Sequence, residues 1–139
     1  MYKRQLYRKQ GAEIANWLDK EVNGRRYGNR FQLINVALDA ANVDGEAATH
    51  FDNDIQGCLQ WLSVSLKYWT PCMLDDENHI STLLRGELQI ESYVHALQAI
   101  KSCIQNNTEM ENITYKDLIL DYMISALIER MQERIIALN

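Results

Sequence analysis

Apolar side chains recur every three or four positions along most of this chain, and the interruptions fall at residues that stop helices. Between Leu6 and Val22, Ile14, Trp17, Leu18 and Val22 share one face at helical spacing, and NGRRYGN then breaks the pattern. NRFQLINVALDAA repeats it with Phe31, Ile34, Leu38 and Ala41, with Asn29 or Asn42 available as a boundary, and VDG ends it. From Glu46 to Trp69 the set Ala47, Ala48, Phe51, Ile55, Cys58, Leu59, Leu62, Leu66 and Trp69 falls within about a third of the circumference at about 100° per residue. Thr70-Pro71 closes that stretch, because proline disfavours the α conformation in the residue before it.

A fourth helix is expected from about Asn78 to Ile104, with Ile80, Leu83, Ile90, Val94, Leu97 and Ile104 inward and Asp75 or Asp76 as cap. The fifth begins near Thr114-Tyr-Lys-Asp117, close to a capping box, and its apolar residues almost encircle it. Only Asp117, Asp121, Ser125 and Gln132 leave a polar edge. A helix of that kind is either central or covered by a second chain. No alternating run of β-branched residues or hairpin dipeptide competes with these readings. The expected fold is therefore all-α, a single-domain antiparallel helical bundle of four to five helices.

Composition keeps this picture and narrows it. The 139 residues are 47% apolar and 24% charged, as in an ordinary globular domain with one core. No apolar run approaches the ~20 residues that cross a bilayer, so no membrane span is expected. Cys58, Cys72 and Cys103 make an odd number without CxxC spacing, which fits reduced thiols in a cytoplasmic protein. Residues 1–30 hold eight Lys/Arg against three acids, and residues 31–139 hold six against sixteen. An acidic body repels phosphate backbones, and the basic head shows no ladder of interleaved aromatics, so no nucleic-acid partner is expected.

The first five residues change how that basic head is counted. MYKRQ matches what a transposase adapter used for sequencing libraries encodes when it is read through at the end of a metagenomic contig. On that reading residues 1–5 are non-native, Lys3 and Arg4 are subtracted, and the domain is residues 6–139.

Candidate chemistry centres on LLRGELQIESYVHALQAI, residues 83–100, where Glu87, Glu91 and His95 form an i, i+4 ladder. At 3.6 residues per turn they lie about 60°, 100° and 140° from the apolar stripe, so only Glu87 points inward. Glu46 and His50 repeat the spacing off the stripe of their own helix, where a solvated face is expected. Such groups would hold a divalent metal if they converged; otherwise no cofactor is expected. GELQIESYVHAL resembles the Glu-and-Tyr helix of ferritin-like four-helix bundle proteins, which implies Glu87 as ligand, Tyr93 as the nearby aromatic, and a metal-binding or oxidoreductase bundle. Tyr93 stands one residue early for that family, and the chain contains no Glu-x-x-His, so the resemblance implies the fold without the iron.

DNDIQGCLQWLS places Asp52, Asp54, Gln56 and Gly57 like an EF-hand loop, but Ser63 stands where a bidentate Glu is required. No histidine lies in a nucleophile motif and no glycine-rich phosphate loop occurs, so no catalytic residue is named. Trp61 and Tyr68 sit off the main stripe and are the expected contact residues, together with Ile124, Ile128 and Ile135 of the last helix. The function expected from these features is protein–protein interaction or self-association, with a protein partner or homo-oligomer. The alternatives are the ferritin-like metal bundle with Glu87, Glu91 and His95, and, below it, a magnesium-dependent nucleotide hydrolase using Glu87, Glu91, Asp117 and Asp121.

Overall fold

The computed structural model describes the backbone of residues 2–71 and 90–138, and the side chains of residues 3–71 and 90–133. These residues form five α-helices: α1 (Tyr2–Asp19), α2 (Gly28–Ala41), α3 (Gly45–Tyr68), α4 (Ile90–Gln105) and α5 (Lys116–Leu138), with a 3₁₀ turn at Thr108–Met110. No strand occurs among the described residues, and one isolated bridge pairs Val22 with Arg25 in the α1–α2 loop. The protein is an all-α bundle. The expected start of the fourth helix near Asn78, with Asp75 and Asp76, lies outside the described residues.

Helix directions follow from the groups that meet. Arg30 near the start of α2 reaches Gln60 late in α3, while Ile34 and Gln56, each about one turn further along the hairpin, line the same cavity. The α2–α3 pair is therefore antiparallel, joined through Asn42, whose left-handed conformation returns its amide to Asp39 and Leu38. Asp19 meets Ser63, and Gly11 lies against Leu66 and Trp69, so α1 is antiparallel to the C-terminal half of α3. α2 packs chiefly on α4, and α5 closes the bundle against α4, α1 and α3.

The core runs through all five helices, with Leu18, Leu33, Phe51, Leu59, Ile100 and Ile119 each at 0–1% exposure. Each such side chain contributes about 1.5–3 kcal/mol of burial. Close approach is built in at Gly11, where a Cβ would sit 3.0 Å from the Leu66 carbonyl and 3.3 Å from the Trp69 ring. α2 is rotated from the expected face: Arg30, Leu33, Ile34 and Ala37 are buried, whereas Phe31 is 39% exposed. Phe31 stays at the surface because the Arg25 guanidinium covers its ring at 4.4 Å.

A polar knot ties the first three helices. Arg30, 9% exposed, donates to Gln60 Oε1 at 2.7 Å and pairs with Asp19, whose two carboxylate oxygens accept Ser63 Oγ at 2.9 and 3.0 Å. Asn29 donates to the Trp17 carbonyl at 2.7 Å, pinning the start of α2 to the end of α1. Removing one partner of a buried ion pair leaves the other charged and desolvated, which costs more than replacing both. Asp19→Ala should lower stability by about 2–3 kcal/mol in urea unfolding, and adding Arg30→Met should recover most of that loss. Equal, additive losses from the two changes would show that the pair carries no coupling.

Candidate functional site

Two surface features stand out from the helix ends. At one, the C-terminus of α3 meets α1 and α5. Trp69 caps α3 in the left-handed conformation, φ 55°, which turns its ring across the neighbouring helices instead of continuing the α3 stripe. Tyr7 of α1 lies 6.0 Å from it, Tyr122 of α5 lies 6.0 Å away on the other side, and Tyr115 meets Tyr7 edge-on at 5.1 Å. Four rings thus form a continuous row. Tyr7, Trp69, Tyr122, Leu118 and Ile119 enclose a groove of about 420 Å³, and its floor and walls are almost wholly apolar.

The row is anchored from beneath. Gln10 of α1 accepts the Tyr115 amide at 2.8 Å, satisfying a backbone donor just before α5 and fixing that helix end against α1. Lys101 of α4 pairs with Asp121 at 3.0 Å, holding the other side of α5. Between these anchors Leu118 and Tyr122 remain 53% and 52% exposed.

The expected contact residues divide. Tyr68 is 54% exposed, one residue before Trp69. Trp61 is corrected: it is 2% exposed, in the core, because α3 is buried on more than one face by α1, α2 and α5. Ile124 is corrected likewise, at 2% exposure beneath the chain's own helices. Ile128 is partly buried against the core, and the side chain of Ile135 lies outside the described residues. The greater part of the apolar girdle of α5, including Ile119, Leu120, Met123, Leu127 and Met131, is therefore covered by this chain itself.

The described metal candidates lie on exposed helix faces. Glu91 and His95 are exposed on α4, Glu46 and His50 are exposed on α3, and Glu87 lies outside the described residues. Among the described residues no group of three His, Cys, Asp or Glu converges in a way that could hold a metal ion. Asp52 to Ser63, the EF-hand mimic, is continuous helix within α3. Tyr93 is 1% exposed and its hydroxyl donates to Asp54 Oδ2 at 2.8 Å, a buried link between α4 and α3.

The second feature lies at the α1–α2 loop. Tyr27, Arg30, Phe31, Ile34, Gln56, Gly57 and Gln60 line a cavity of about 320 Å³. Arg26 and Arg30 lie over the Tyr27 ring at 5.2 and 4.2 Å, and Arg25 over Phe31. Folding thus interleaves arginines with aromatics where the linear sequence showed no ladder. The signal was present in RRYGNRF, but the stacking depends on Tyr27 taking the left-handed conformation, φ 59°.

No protein-family model, curated protein or solved structure matches this chain. No helix among the described residues is long and apolar enough to cross a membrane.

Buried acids give a measurable pH signature. Burial, and then the neighbouring Asp54 charge, push the Cys58 thiol from 9.0 up to about 12. Burial, and then the Asp54 carboxylate, also push the Tyr93 phenol upward. Cys58 is thus protonated at neutral pH and is no nucleophile. Above the unfolded thiol's 9.0 the unfolded chain releases the proton that the native chain keeps, so stability is full below pH 9 and falls as pH rises toward 12. Chemical unfolding at pH 8 and pH 10.5 should show that loss, and Cys58→Ala should flatten the slope. Native protein at pH 8 should alkylate at the half-buried Cys103 well before Cys58.

Proposed function

We propose that this chain is a protein-interaction module, binding a partner protein or its own copy through the groove between Tyr7, Trp69, Leu118 and Tyr122. The observation that carries the reading is Leu118 and Tyr122, both more than half exposed, on the wall of an apolar groove whose other walls are aromatic. Aromatic side chains at the surface combine large apolar area with few rotatable bonds, which lowers the entropy cost of docking. A concave apolar site of this size accepts an anchoring side chain of a partner, the geometry in which binding energy concentrates.

This reading narrows the contact surface within the last helix. The N-terminal turns of α5 remain open, while Ile124 and the residues around it are used inside the bundle. Tyr68 extends the surface on the α3 side.

Light scattering after size exclusion over a wide concentration range tests self-association, and affinity capture tests a partner. Leu118→Asp and Tyr122→Asp should abolish whichever association is found, with unchanged helical circular dichroism, since both side chains are exposed. A strictly monomeric chain whose captured proteins are the same with and without these substitutions would overturn the reading.

A further inference from the structure

The cavity at the α1–α2 loop shares no residue with the groove, and its chemistry is different. Its walls are two aromatic rings, Tyr27 and Phe31, with Ile34 and Gly57, which suits a flat apolar face. Two glutamine amides, one helical turn apart on α3, complete it. Gln56 Nε2 donates to Asp52 at 2.6 Å, which leaves its Oε1 as an acceptor; Gln60 Oε1 accepts from Arg30 at 2.7 Å, which leaves its Nε2 as a donor. The pair therefore offers one acceptor and one donor side by side, the complement of a nucleobase edge.

Asp19 is taken up by Arg30 and Ser63, and Asp52 by Gln56. Arg25 and Arg26 are exposed, each guanidinium is held over a ring that lines the cavity, and among the described residues neither makes an ion pair. Arg30, nine-tenths buried against the same cavity, keeps an Nε with no partner among the described residues. Guanidinium groups beside a stacking site are the usual means of holding a phosphate one sugar away from a base.

We propose that this cavity binds a free mononucleotide, its base packed against the Tyr27 and Phe31 side chains and read by Gln56 and Gln60, its phosphate held by Arg25 and Arg26. A volume of about 320 Å³ lies at the small end of ligand pockets and holds one nucleotide rather than several. The net charge of −5 repels a longer polyanion, which selects the single nucleotide over a strand.

Isothermal titration of the full chain with AMP, GMP, CMP and UMP in turn, and with adenosine, inorganic phosphate and a ten-residue oligonucleotide, tests this. At least one monophosphate should bind saturably at one per chain. The matching nucleoside and inorganic phosphate should each bind about tenfold more weakly or worse. Arg25→Ala with Arg26→Ala should weaken the monophosphate about tenfold and the nucleoside by much less, because the phosphate loses both its charged partners while the base keeps Gln56, Gln60 and the two rings. Gly57→Leu, which adds a side chain at a residue lining the cavity and improves helix propensity, should abolish binding while circular dichroism stays native. Absence of saturable binding by all four monophosphates overturns the proposal, as does binding that survives Gly57→Leu. An oligonucleotide that outcompetes the mononucleotide overturns the assignment to a free nucleotide.

Discussion

A guanidinium nine-tenths removed from water has to find oxygen acceptors, and where Arg30 finds them determines how the first half of this bundle is assembled. Its acceptors come from two different helices, Asp19 at the end of α1 and Gln60 in α3, and Asp19 in turn holds Ser63. Satisfying Arg30 therefore fixes the depth at which α2 enters, the stagger of α1 along α3, and the length over which the intervening loop must turn back. That loop meets the requirement with Asn23 and Gly24 at positive φ and a Val22–Arg25 bridge, and it delivers Tyr27 in the left-handed region. Gly28 then passes so close to Val22 that a Cβ would fall 2.6 Å from the valine Cβ, which explains a glycine at the first position of a helix.

Among the described residues four other than glycine adopt the left-handed conformation. Asn23 and Asn42 do so at little cost, since asparagine hydrogen-bonds locally there, but Tyr27 and Trp69 have no such excuse and each costs of order 1 kcal/mol. Each of these two aromatic outliers lines one of the two surface cavities. In both cases the unusual backbone angle turns a ring away from the path its helix would give it and across the mouth of a neighbouring helix. Asn or Gly would adopt this backbone at lower cost, so at both positions the aromatic side chain is kept against the local preference of the chain.

The helices, their order and three of their stops were legible because amphipathic periodicity is a local property: one face must be apolar for each helix to join a core. Trp61 and Ile124 were misplaced for a common reason. A helical wheel assumes one buried face, but α3 is enclosed by α1, α2 and α5 and α5 by α4, α1 and α3, so residues off the main stripe become core. Phe31 errs in the opposite direction, since an arginine six positions earlier supplies its cover without burying it. The polar knot was illegible for a related reason: Asp19, Arg30, Gln60 and Ser63 are each ordinary surface residues until three helices bring them together. Which of Glu87 and its neighbours shares a face with Glu91 and His95 lies outside the described residues.

The near-complete apolar girdle of α5 poses a question of scale rather than of kind. Among its described residues α5 buries one face, with Ile119, Leu120, Met123, Ile124, Leu127 and Met131, inside its own chain, so the apolar surface these residues leave for association is small and local. Among the described residues that remainder falls at the first two turns, where Gln10 and Tyr7 of α1 meet Tyr115 and the side chains of Leu118 and Tyr122 stay more than half exposed. Gly11 sets where α1 lies on α3: the missing side chain lets α1 down onto Leu66 and Trp69, which brings Tyr7 into the aromatic row. The same close approach thus seats α1 against α3 and places Tyr7 and Trp69 together in the lining of the groove.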